Sequence, residues 1–350
     1  PGGMSGRRSV EHPPDALTLR PRSRHALRLD RKRATRVYTR GIVSGRQRPY
    51  GRRIVRFLFE GQATMKVLIL GLGKSGTTGM VYKVAGGLPN CHAFSGGKPG
   101  KYAGNYENAV YKHTYEERKG KNFEVYQKHF ANFHYDRKIW MARDPRDAAV
   151  SRILYRFHKG IFFNRKQFEA YFDLILKKEK APHSVPFIEV CRYAGHFEWP
   201  ASREKVIEEE RVRYERMQRF VKNLGSEGFL FKYEEMVTGR FDEVNRYLGF
   251  ELKSEAEVPK GTGKDKVVRK KAFGDWRHWF TEEDVSLFEP AYRPYMEAVG
   301  YDGSDWALAQ PPVIEPRFSS VYVKNLADKG HSNILKRFYD NLMQRYYARQ

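Results

Sequence analysis

Two cysteines, Cys91 and Cys191, are all that the 350-residue chain contains, and neither stands in a CxxC or other metal-ligand spacing. That argues against a disulfide framework and a cysteine-built metal site, and it predicts reduced thiols in a reducing compartment, the cytoplasm. Long apolar runs are missing too. No stretch reaches the roughly 18 apolar residues of a membrane-spanning helix, and no short apolar segment follows the basic start as a secretory signal would. The expectation is a soluble protein. Acidic residues are scarce in two places: residues 1–64 hold four against sixteen Arg or Lys, and residues 65–105 hold none. The first imbalance supplies half of the formal net charge of +24. The other half is spread over the rest of the chain, a level that suits a protein whose ligands are polyanions.

What is present is core-forming material, with 40% hydrophobic residues and 14% aromatics. Residues 1–64, rich in Arg, Pro, Gly and Ser without sustained periodicity, predict a disordered leader or an artefactual upstream extension, with an organelle transit peptide as the alternative. From Met65 the pattern is α/β. Strands are expected at Lys66 to Leu70, Ala109 to Lys112, Lys138 to Ala142 and Gly228 to Lys232, and helices near 145–157, 165–180 and 202–224. Alternation of this kind predicts a mainly parallel sheet flanked by helices, with ligands at the carboxyl ends of the strands. The C-terminal region reads as helical at 281–299 and 332–348, around a Pro-rich stretch at Gln310 to Pro316. The expected organisation is one domain over 65–305, followed by a Pro-containing linker and C-terminal helix over 306–350.

Gly71-Leu72-Gly73-Lys74-Ser75-Gly76-Thr77-Thr78 follows the first strand and opens a helix, so its backbone N–H groups can converge on an anion. Gly71, Gly73 and Gly76 spell the GxGxxG of a dinucleotide fold. That fold needs a ribose-binding acid about 20 residues on, and none lies between Met65 and Asn105. Gly71 and Gly76 also nearly satisfy the P-loop GxxxxGK[ST]. There Thr77 stands where the lysine belongs, and Lys74 sits inside the loop instead.

The string Gly73 to Thr78 resembles the 5'-phosphosulfate loop of sulfotransferases that use 3'-phosphoadenylyl sulfate (PAPS), in which Lys lies within the loop and hydroxyl residues follow it. Arg143-Asp144-Pro145-Arg146-Asp147-Ala148-Ala149-Val150-Ser151 resembles the 3'-phosphate site of the same family, which assigns Arg143 and Ser151 to that phosphate. A guanidinium forks onto phosphate oxygens and a serine adds a neutral donor. Leu230 to Met236 is similar to the segment whose Tyr contacts adenine, giving Tyr233 that role. Arg269-Lys270-Lys271-Ala272-Phe273-Gly274-Asp275-Trp276 is similar to the segment that closes over the 3'-phosphate, with Lys271 in place of the family's Gly.

The resemblance implies transfer of a sulfuryl group from PAPS to a hydroxyl or amine acceptor, with Lys74, Ser75, Gly76, Thr77, Thr78, Arg143, Ser151, Tyr233, Arg269 and Lys270 binding the donor and no metal required. Lys74 would neutralise the leaving phosphate. His113, in Tyr111-Lys112-His113-Thr114, is the expected base by likeness to the family's Lys-Thr-His. The order is permuted, so His113 fits only if strand register or an irregular strand end turns it to the right face. Glu107 remains open as an alternative and His92 is a weaker substitute. Aromatics between Tyr155 and Trp199, among them Phe157, Phe162, Phe163, Tyr171, Phe172, Tyr193 and Phe197, are expected to shape the pocket of a small-molecule, carbohydrate or lipid acceptor, although an apolar core explains most of them equally well. The reading from another class is a nucleic-acid-binding protein. It rests on the net charge and on Lys336-Arg337-Phe338-Tyr339, without a recognised nucleic-acid motif.

Overall fold

The computed structural model describes residues 64–94, 106–115, 134–158, 165–195, 199–222, 228–259 and 270–331. The leader over 1–63, Arg269, the basic-aromatic run at Lys336 to Tyr339 and the helix expected over 332–348 lie outside the described residues.

Strand β1 (Lys66–Leu72) is buried on both faces, which is why it reads as an unbroken apolar run rather than an alternating one. Helix α1 (Thr77–Gly87) follows, then β2 (Cys91–Phe94), β3 (Asn108–Tyr115) and β4 (Arg137–Ala142). With β5 (Phe229–Lys232) they form a five-stranded, all-parallel sheet in the order β2-β3-β1-β4-β5. Two side chains fix where β1 starts: Asn108 Oδ1 accepts Met65 N at 2.8 Å and Asp136 Oδ2 accepts Lys66 N at 2.7 Å. Because the chain passes from β3 across β1 to β4, connections leave on opposite sides of β1. The carboxyl end of β1 is therefore the switch point where such sheets bind ligands.

Helices cover both faces. One layer contains α1 and α7 (Asp242–Leu248), whose Met80, Val81, Val84, Val244 and Leu248 pack on Val67 and Ile69. The other contains α2 (Pro145–Leu154), α3 (Arg165–Lys180), α4 (Phe187–Tyr193), α5 (Arg203–Lys222) and α9 (Glu282–Ala298), over Leu68, Leu70 and Trp140. Between these lie two short helices, α6 (Tyr233–Thr238) and α8 (Trp276–Trp279). The buried Asp284 joins two helix starts: it completes a capping box with Thr281 at α9 and accepts Phe187 N at 2.6 Å and Ile188 N at 2.8 Å at α4.

The expected strands and helices that fall on described residues form within a few residues of their expected bounds. Strand β2 falls where no strand was expected, and α4, α6, α7, α8 and α10 (Ser320–His331) fall where no helix was. Residues 306–327, expected to begin a linker, carry Ile314 and Val323 into the core, with Trp306 and Leu308 packed against it. Glu179 fastens the start of α10 by accepting Ser320 N at 2.6 Å. Among the described residues no helix is long and apolar enough to cross a membrane.

Candidate active site

The loop after β1 turns on two positive-φ residues, Lys74 at 75° and Gly76 at 87°, on either side of Ser75. A lysine in the left-handed region costs about 1–2 kcal/mol and needs external support. Arg143 provides it, donating from Nη1 to Lys74 O at 2.9 Å, while Ser75 Oγ donates to Leu72 O at 2.8 Å from inside the turn. Gly71 is required by close packing: a Cβ there would lie 2.5 Å from Ser75 Oγ and 2.9 Å from Met141 O. Helix α1 starts at Gly76 with no side chain capping its first N–H groups, so these point into the loop as an anion site. Thr78 Oγ1 accepts from Lys112 Nζ at 2.8 Å, which brings a second lysine to the loop from β3. Sequence reasoning had passed over Lys112.

Arg143 leaves the end of β4 and lies with its guanidinium carbon 4.3 Å from the centroid of the Tyr233 ring, the same ring that packs on Gly76. Its Nε is shut off from solvent and has no hydrogen-bond partner among the described residues. A buried guanidinium donor left over in this way fits a phosphate oxygen. Asp144 caps α2 by accepting Arg146 N at 2.9 Å and pairs with the Arg146 guanidinium at 2.7 Å. Glu234 accepts Asp144 N at 3.2 Å and the Tyr301 hydroxyl at 2.5 Å, and burial raises its carboxyl above the usual range. Ser151 lies two turns along α2 from Arg143, partly exposed. Its neighbour Arg152 is fixed by the buried Glu210, which also accepts Tyr292 Oη at 2.8 Å. Burial pushes Glu210 up, but Arg152, Arg213 and the Tyr292 hydroxyl outweigh it and hold the carboxyl below its ordinary value.

Lys74 Nζ sits 3.8 Å from the centroid of the Tyr155 ring, at the end of α2, and His158 stacks on the other side of that ring at 3.6 Å. The lysine therefore leans toward the sheet face covered by α2. Strand β3 is regular to its end, pairing Lys112 with Ile69, His113 with Leu70 and Tyr115 with Leu72. Alternation puts Lys112 on the α1 face and His113, like the core residue Tyr111, on the α2 face. His113 and Lys74 thus share a side of the sheet. Glu107 and His92 do not share this end: Glu107 precedes the amino end of β3, and His92 pairs in register with Ala109, stacked on Tyr106 and tilted against Phe94. Of the aromatics expected to shape the acceptor pocket, Phe157 and Tyr171 are core residues, with Tyr171 Oη donating to Ile153 O at 2.9 Å. Phe162, Phe163 and Phe197 lie outside the described residues.

The segment from Lys270 approaches the same end of the sheet. Asp147, buried one turn into α2, accepts Gly274 N at 2.6 Å, and Arg146 lies 3.9 Å from the Trp276 ring centroid. Lys270 Nζ pairs with Asp275 at 2.6 Å. The family model for the sulfotransferase domain matches residues 135–300, from the approach to β4 through α9. This part of the chain is a sulfotransferase domain. Members of that family use PAPS as the sulfuryl donor, and the protein is accordingly an enzyme that transfers a sulfuryl group from PAPS to an acceptor. No curated protein and no solved structure was found to match the chain. The phosphate loop precedes the matched residues, and the Arg143 bond to Lys74 O ties the sulfotransferase domain to it.

Proposed function

We propose that the loop from Gly71 to Thr78 and the carboxyl end of β4 form a single PAPS site. The observation that carries this reading is Arg143, which supports the strained Lys74 backbone, stacks on Tyr233 and keeps one buried guanidinium N–H unspent. When bound there, PAPS supplies an activated sulfuryl group on a 5'-phosphate leaving group. Loop N–H groups with Ser75, Gly76, Thr77 and Thr78 hold the 5'-phosphate, and Arg143 and Ser151 hold the 3'-phosphate, a role that Arg269 and Lys270 share by the family resemblance. Tyr233 offers a ring to adenine. Lys74, moving off the Tyr155 ring, neutralises charge at the leaving phosphate, a kind of stabilisation worth about 10²–10³-fold in rate per donor. His113, on the same side of the sheet, takes the acceptor proton.

The acceptor is a hydroxyl or amine of a small molecule, carbohydrate or lipid. Residues 65–305 serve as the catalytic domain. Cytoplasmic placement belongs to the same reading and is supported by Cys91 and Cys191, both free thiols. The test is transfer of radiolabel from PAPS across phenol, carbohydrate and lipid acceptors by the wild type, Lys74→Met and His113→Ala. Transfer that falls roughly 10²-fold or more in Lys74→Met supports the assignment. Transfer unchanged in both variants would contradict it.

A further inference from the structure

Asp147 holds none of the donor-binding roles proposed above, yet its surroundings are specific. The residue is 2% exposed and accepts two backbone hydrogen bonds from a distant stretch of chain: Gly274 N to Oδ2 at 2.6 Å and Trp276 N to Oδ1 at 3.2 Å. Gly274, at φ 85°, adopts the left-handed turn that brings both N–H groups to one carboxylate. Residues 270–274 lie in neither a strand nor a helix, so contacts to other parts of the protein fix their course. The nearest reinforcement is Arg146, one residue before Asp147, whose guanidinium lies between Trp276 at 3.9 Å and Trp306 at 4.7 Å. Arg143, four residues earlier, is near enough for its charge to favour the Asp147 carboxylate.

Resting on the donor-site reading above, we infer that Asp147 is the positioning residue that sets the Lys270–Trp276 segment against the strand end carrying Arg143, so that one carboxylate fixes both sides of the 3'-phosphate site. The chemistry favours this over a packing role. A carboxylate in such a place is costly: burial, with Asp144 close by, pushes its carboxyl up to about 7 even though Arg143 and the two N–H groups pull the other way. A bidentate acceptor is what two converging N–H groups require, and no apolar residue of similar size supplies it.

The experiment is calorimetric titration of the full chain with adenosine 3',5'-bisphosphate and with AMP, using the wild type, Asp147→Ala and Asp147→Asn. It is joined to hydrogen exchange of the amides of residues 270–276. Loss of the carboxylate leaves two buried donors unpaired, so Asp147→Ala is expected to bind the bisphosphate about tenfold or more weakly while AMP affinity is unchanged. Exchange should accelerate at Gly274 and Trp276 and stay slow in β1. Asp147→Asn, with one acceptor retained, should fall between. A purely structural role would instead lower both affinities together, and that result would overturn the inference. So would wild-type preference for the bisphosphate in Asp147→Ala or, should that variant not fold, wild-type preference and exchange in Asp147→Asn. A wild type that shows no preference for the bisphosphate over AMP would sink the donor-site reading, and this inference with it. Preference that survives in the variants sinks the inference alone.

Discussion

Replacing Gly76 by alanine tests the loop geometry with a single methyl group. Two costs add. The residue sits at φ 87°, where an L side chain costs about 1–2 kcal/mol. The new Cβ would also lie 2.6 Å from Tyr233 Cδ2 and 2.9 Å from Met236 Cε, closer than side-chain atoms tolerate. The Tyr233 ring cannot simply swing away, because Arg143 stacks on it and is itself bonded to the loop. Overpacking of this kind costs about 1–3 kcal/mol, so the sum is about 2–5 kcal/mol, read as a loss of unfolding free energy in urea. Gly79, one turn further along the same helix, provides the control. Its Cβ would meet Met236 Cε at an ordinary 3.6 Å, and alanine in a helix interior is favoured over glycine by about 0.5–1 kcal/mol. Gly79→Ala should therefore be neutral or mildly stabilising, and Gly76→Ala should also weaken binding of adenosine 3',5'-bisphosphate, because the loop must shift to relieve the clash. Equal stability of the two variants would refute the reasoning.

Glu210 holds Arg152 and Arg213 with the Tyr292 hydroxyl inside the helical layer, so Glu210→Gln should cost about 3 kcal/mol or more in chemical unfolding, as expected when one partner of a buried pair is removed. The pH dependence of stability should contain two opposed contributions. Glu210, held below its ordinary 4.5, adds stability above that pH which is lost as the medium is acidified. Asp147 works the other way. With its carboxyl raised by burial from 3.8 to about 7, against the pull of Arg143 and the Gly274 and Trp276 amides, the native state holds the extra proton between those values. Its contribution therefore falls as pH rises from about 4 to about 7, and Asp147→Asn should flatten that slope in thermal unfolding. Cys191 is buried with its thiol pushed well up, and burial raises Cys91 to about 11, so both should react slowly with a thiol reagent at pH 8 until the protein is unfolded.

The candidate site's local geometry was legible where it rests on consecutive residues. Gly71 to Thr78 carries its own turn, and Arg143 to Ser151 combines a strand end, a capped helix and a phosphate-type donor pair in nine consecutive residues. What the sequence could not show depends on partners far along the chain. Nothing local marks Asp147, whose partners Gly274 and Trp276 lie more than a hundred residues along the chain. Lys112 looked like a neighbour of the expected base, and only the pairing of β1 with β3 placed it against Thr78. The aromatic stretch from Tyr155 was ambiguous because core and pocket demand the same residue types, and at Phe157 and Tyr171 the core prevailed. Strand β2 is four residues long and only partly buried, too short for a period to emerge. Helix α10 was within reach, since Tyr322, Val323, Leu326 and Ala327 repeat at helical spacing and are the hydrophobic residues it buries among those described.

The most direct measurement is a calorimetric titration of the full chain, without metal, with adenosine 3',5'-bisphosphate against AMP, ATP and NAD, repeated with Arg143→Ala. Selective binding of the bisphosphate that falls about tenfold or more in Arg143→Ala is the expected result, since the substitution removes both a charged phosphate donor and the support of the Lys74 turn. Equal affinity for AMP, or a preference for NAD or for ATP, would contradict the assignment of a PAPS site to this loop and strand end.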